Sequence, residues 1–166
     1  MKSPEKFRVG VVGTDSLRGR EIKNILSTKK FPLTHIEFFD PDVEEEYSKL
    51  TQFRDEPKVV HHLDPEALEG LDLVFLAADR KTNRACGRLA AEKNFQAIDL
   101  SETFSADEDV PLIVAGVNDD LIARKKFPLI ANPHPAAIVL SSLLHRLDGK
   151  FGVTKAVAFI LQPVSA

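Results

Sequence analysis

Short apolar runs of strand length alternate along this sequence with stretches whose apolar residues recur every three or four positions. The first run, Phe7–Val12, leads into Gly13 and then into a helical stretch over Leu17–Thr28, where Ile22, Ile25 and Leu26 share one face. Residues 35–39 form a second run that stops at Asp40-Pro41, and residues 57–61 a short third. Asp64 followed by Pro65 reads as a helix cap with proline in the first turn. A buried strand is expected over 71–77, then a helix with Ala85, Cys86, Leu89 and Ala90 on one stripe. Further strands are expected over 95–100, 112–115 and Leu129–Ala131, with a short helix over 118–124. A strong helix follows, carrying Ala136, Val139, Leu140, Leu143, Leu144 and Leu147 on one face, and a strand over 154–161 closes the chain. Such alternation predicts an α/β fold: a doubly wound, mainly parallel sheet of Rossmann type with helices on both faces.

At 166 residues the chain has the length of one domain, so residues 1–166 read as a single unit. The strand expected at the end runs to Gln162-Pro163-Val164 without a turn or polar tail. That is the pattern of a chain interrupted at a domain boundary; a terminal edge strand would read the same way. The formal net charge is −3 and no stretch is strongly basic, which argues against nucleic acid or an anionic membrane as partner. The acidic cluster at 42–46 reads as a solvated loop face. Cys86 is the only cysteine, so neither a disulfide framework nor a cysteine-built zinc site is available. His61 and His62 are adjacent and would face opposite ways on a strand, a poor metal pair. His35 and His145 have no evident partners in the pattern. No apolar run reaches membrane-spanning length, and the opening MKSPEKF has no apolar core, so the expected location is cytoplasmic.

Strand, glycine, short loop, helix is the layout that holds a dinucleotide. Gly13 allows the tight turn and Gly19 a close packing of helix on sheet, while the free N–H groups at the helix start suit a pyrophosphate. The middle glycine position holds Ser16, whose hydroxyl is able to donate to a phosphate. Thr14 and Leu17 complete the candidate turn. Asp15 works against it, because a carboxylate there can cap the helix and repel phosphate; Arg18 and Arg20 would counter it. The same turn also fits a capped helix that holds nothing. Asp40 ends the second strand, where an acid accepts from the adenosine ribose and repels a 2′-phosphate, so it favours NAD over NADP. It equally suits the start of a turn before Pro41.

Four segments, in order, resemble the aspartate-semialdehyde dehydrogenases. VGVVGTDSLRGREIKNIL resembles that family's opening, with its G-x-x-G-x-x-G turn. The stretch over residues 71–118 resembles its centre, where a strand ends in small residues, here Ala77 and Ala78, and a later segment reads D-x-S-x-x-F-R before D-V-P-L. LIANPHPAAI is similar to I-A-N-P-N-C-S-T-I, and AFILQPVSA to a strand ending in an active-site glutamine, here Gln162. N-acetylglutamyl-phosphate reductases share the architecture.

The resemblance implies an NAD- or NADP-binding domain, with Ala77, Ala78 and Asn132 added to the cofactor residues, and a second, catalytic and dimerisation domain that this chain lacks. It also implies a chemistry. A cysteine thiolate attacks an aldehyde, hydride passes to the nicotinamide, and phosphate releases the thioester. A basic residue holds the substrate phosphate. Pro135 stands at the cysteine position and Ser105 at the arginine position, while Gln162 matches. Cys86, on its apolar stripe, reads as core, and His134 as a polar residue at a helix start. The expected function is therefore a nucleotide-binding domain without the family's chemistry, self-associating or pairing with a related subunit through an apolar patch near residues 159–164. The alternatives are an oxidoreductase completed by the second domain, and a scaffold with an empty nucleotide site.

Overall fold

The computed structural model describes residues 6–44 and 49–161. Its strands are β1 (Phe7–Val12), β2 (Leu33–Asp40), β3 (Lys49–Phe53), β4 (Glu56–His62), β5 (Leu73–Leu76), β6 (Gln96–Asp99) and β7 (Leu129–Ala131). Its helices are α1 (Leu17–Thr28), α2 (Arg80–Glu92), α3 (Asp120–Arg124) and α4 (Pro135–Phe151), with a 3-10 turn at Pro65–Leu68 capped by Asp64. The strands form one sheet in the order β3-β4-β2-β1-β5-β6-β7, parallel except for the β3–β4 pair.

Alternation along the central strands divides the apolar side chains between two faces. Val9 and Val11 of β1, Phe38 of β2 and Phe75 of β5 pack with Leu26 and Ile22 of α1. Val12, Phe39, Val74 and Leu76 pack on the other face with Cys86 and Ala90 of α2. The sheet is thus doubly wound, as expected. Because β2 and β5 flank β1, strand order reverses at β1, and a crevice opens beyond the carboxyl ends of these strands.

Two strand expectations and one helix expectation fail or shrink. Residues 154–161 form no strand: Val157, Phe159 and Leu161 are exposed by 74%, 93% and 97%, and no described strand offers them a ladder. β propensity without a partner leaves an extended segment. Residues 112–115 reduce to one bridge between Leu112 and Ala131. The expected helix at 118–124 starts later, because the Asn118 side chain closes a turn on Leu112 and Val114 instead. Conversely, β3 was not expected. It pairs with β4 through a two-residue turn, Arg54-Asp55, both with positive φ, the geometry of a tight hairpin.

That hairpin grips α1. Lys23 Nζ donates to Thr51 Oγ1 at 2.6 Å, and Arg54 Nη2 donates to the carbonyls of Leu26 and Phe31, each at 3.2 Å. The guanidinium so serves carbonyls at the end of the helix, where positive charge is favoured. Arg54→Ala is expected to destabilise the fold by about 1 kcal/mol. Urea denaturation checks this: the midpoint falls while the slope is unchanged.

Candidate functional site

The crevice is built around the turn from β1 into α1. Gly13 has φ +86°, and a Cβ there would overlap the backbone nitrogen of Ala78. A Cβ on Gly19 would overlap the carbonyl oxygen of Gly13. Both positions exclude any side chain, so turn, helix and the end of β5 meet backbone to backbone. Ser16 is the N-cap: its Oγ accepts from Gly19 N at 2.9 Å and donates to Gly13 O at 2.8 Å. The hydroxyl proton expected to reach a phosphate is committed to the turn itself. Arg20 N is the first to bond within the helix, to Ser16 O. The N–H groups of Leu17 and Arg18 have no partner among the described residues. They carry the positive end of the helix dipole into the crevice.

Thr14 is fully buried, and its N–H donates to Asp40 Oδ1 at 2.8 Å. The other oxygen of Asp40 accepts from Lys49 Nζ at 3.0 Å, and the same ammonium lies 2.6 Å from Asp15. Asp15 therefore does not cap α1, as its position in the sequence suggested. The Lys49 ammonium instead holds its carboxyl below the usual carboxylate range, and Asp15 in turn pushes Lys49 upward. Burial moves the Lys23 ammonium the other way, downward, despite the attraction of Asp15 and Asp40. Nothing in the sequence around Lys49 marks it for this role. It arrives on β3, the unexpected strand.

Two pockets border the neighbouring elements, one just after the end of β2 and one at the start of α1. One, of about 400 Å³, is lined by Pro41, Asp42, Leu63, Pro65, Thr82 and Leu89 among others. The other, of about 230 Å³, brings Arg18, Glu21, Glu102, Asn132 and Pro135 together. Pro135 opens α4, capped by His134, whose Nδ1 accepts from Ala136 N at 3.1 Å. Ala77 is buried, with its N–H on Val12 O. Ser105 is exposed and closes a turn on Glu102 O at 2.9 Å. Gln162 lies outside the described residues.

Behind Ala78 runs a polar network that periodicity alone did not reveal. Asn83, fully buried, accepts from Ala78 N and donates to Ala78 O and to Ser101 Oγ. Asp99, also fully buried, accepts from the N–H groups of Ser101 and Phe104. No buried side-chain polar atom among the described residues lacks a partner, so the network is closed and rigid.

A doubly wound domain with a glycine turn meeting an open helix end at the strand reversal is a dinucleotide-binding domain by class. The sequence profile of the family described as "Semialdehyde dehydrogenase, NAD binding domain" matches residues 8–125. The chain belongs to that family. It is 30% identical over 164 residues to the aspartate-semialdehyde dehydrogenase of Rickettsia bellii, covering 97% of this chain and 47% of that protein. With the enzyme of Mycolicibacterium smegmatis it shares 31% over 160 residues, 95% and 46% of the two chains. The chain thus spans about half the length of the curated relatives it matches. Among solved structures, aspartate semialdehyde dehydrogenase II of Vibrio cholerae superposes with a TM-score of 0.78 at 23% identity, covering 90% of this chain and 49% of that one. The Candida albicans enzyme with NADP superposes at 0.67 and 20%, covering 90% and 48%. These likenesses bear on the fold.

Cys86, the only cysteine, lies inside the α2 core at 3% exposure, and burial pushes its thiol up to about 11. A thiolate is the nucleophilic form, so this group is inert at neutral pH. A disulfide reagent at pH 8 is expected to leave the native chain unmodified and to titrate one thiol once the chain is unfolded. The raised value also has a linkage consequence. The contribution of Cys86 to stability is complete below its unfolded value near 9 and is lost as pH rises toward 11.

Proposed function

We propose that this chain binds NAD or NADP, NAD in preference, as the nucleotide half of a semialdehyde dehydrogenase-like protein, and that it supplies no thiol chemistry itself. The observation that carries the reading is the pair of unpartnered N–H groups on Leu17 and Arg18, beside a turn where Gly13 and Gly19 leave no Cβ in the way. A pyrophosphate would be held there, with Thr14 and Ser16 fixing the turn. The 400 Å³ pocket beside Pro41 and Thr82 suits the adenine, and the 230 Å³ pocket that Asn132 lines suits the nicotinamide side, with Ala77 and Ala78 following β5. A bound cofactor would supply hydride acceptance. The negative charge of Asp40 favours a ribose that lacks a 2′-phosphate.

The family's covalent step requires a nucleophile at the head of α4. Pro135 has neither a nucleophile nor a backbone N–H there, and Ser105 provides no charge to hold a substrate phosphate. Aldehyde or acyl-phosphate oxidoreduction would need reacting groups from outside this chain. No helix among the described residues is long and apolar enough to cross a membrane, and a cytoplasmic setting belongs to the proposed reading.

Calorimetric titration with NAD and with NADP tests this. Micromolar binding of at least one is expected, lost in Gly13→Ala at a temperature where circular dichroism still shows that variant folded. No heat, with no rise in melting temperature at millimolar nucleotide, would leave the scaffold reading in its place.

Self-association, or pairing with a related subunit, forms the second part of the proposal. Val139, Leu143 and Phe151 of α4 are exposed by 68%, 53% and 70%, close in sequence to the exposed Phe159 and Leu161. Light scattering at high protein concentration should report a mass above that of one chain; a clean monomer throughout counts against it.

A further inference from the structure

We propose that Asp15, partnered by Lys49, is the side chain that contacts the adenosine ribose, and that Asp40 contributes its charge and positions these two without touching the ribose. The inference rests on the nucleotide-binding reading above and deepens it. The Asp40 side chain is 8% exposed, and each of its oxygens already has a donor, Thr14 N at 2.8 Å and Lys49 Nζ at 3.0 Å. Turning toward a ribose would strip the buried Thr14 N–H of its acceptor, a loss that buried amides do not tolerate cheaply.

Asp15 has the opposite standing. Its side chain is 58% exposed, and Lys49 engages only its Oδ2. Its Oδ1 has no partner among the described residues. Lys49 has three N–H donors, of which Asp15 and Asp40 take two. Among the described residues, one acceptor of Asp15 and one donor of Lys49 are therefore left unengaged side by side. A vicinal diol presents the complement, since each hydroxyl both donates and accepts.

Charge separates the diol from its phosphorylated form. Two carboxylates share the Lys49 ammonium within hydrogen-bonding distance, and the exposed carboxylate of Asp15 is the group a ribose substituent would meet, with Lys23 and Arg20 outside salt-bridge distance of it. Lys23 is held on Thr51 and over the Phe38 ring, and Arg20 projects from an exposed position on α1. A 2′-phosphate placed beside Asp15 would meet repulsion that a hydroxyl does not.

The test is calorimetry of the full chain with NAD and NADP, comparing wild type, Asp15→Ala and Asp40→Asn. Asp15→Ala should keep its melting temperature, bind NAD about tenfold more weakly, and bind NADP as well as before or better. Asp40→Asn should show its principal loss in melting temperature. An Asp15→Ala protein that binds NAD as wild type does, or that loses NAD and NADP in equal proportion, overturns the assignment of Asp15 while the nucleotide site stands. A wild-type chain that binds neither nucleotide overturns the nucleotide reading itself, and this inference with it.

Discussion

At Gly13 the main chain passes so close to Ala78 that no side chain fits between them, and the geometry of the crevice follows from that approach. It brings the ends of β1 and β5 together and sets the direction in which the chain turns into α1. Gly19 repeats the approach from the helix side, against the Gly13 carbonyl. Asp40 completes the clamp from β2 through the buried N–H of Thr14. Three neighbouring strands and a helix are thereby fixed at one point, and the open N–H groups of Leu17 and Arg18 are left facing the strand reversal. The closed network of Asn83, Ser101 and Asp99 backs the same point from the α2 side.

The edge hairpin contributes charge as well as shape. β3 covers the outer side of β4, so the parallel strands do not end in a bare edge there. Its first residue, Lys49, reaches the turn, and its tip, Arg54, reaches the far end of α1. One small element therefore touches both ends of the helix that would face a nucleotide. The cation it supplies lies within hydrogen-bonding distance of two carboxylates, Asp15 and Asp40, and holds the Asp15 carboxyl below its usual range.

Where a residue's role is local, the sequence displayed it. β1, α1 and β7 carry the bounds their patterns predict, Gly13 and Gly19 stand where the spacing requires them, and Cys86 sits on the core stripe its neighbours define. Roles that depend on a distant partner were hidden. Lys-Leu-Thr-Gln-Phe alternates too weakly to announce β3, and nothing near Lys49 in the chain points to Asp15. Asp15 looked like a helix cap because the cap and the ion pair differ only in which way the carboxylate turns. The segment at 154–161 shows the reverse error, since its composition suits a strand but a ladder needs a neighbour. Helix α4 likewise leaves Val139, Leu143 and Leu147 of its apolar face exposed, while Leu140 and Leu144 are half-buried.

The sealed thiol of Cys86 leaves the surface of this chain without a native sulfhydryl handle. A cysteine placed by Pro135→Cys would be the one addressable thiol in the molecule, at the rim of the pocket shared with Arg18 and Asn132. A single fluorophore or spin label could then be attached there without masking any other site. Position 135 becomes, for the experimenter, a ready-made observation post on the crevice.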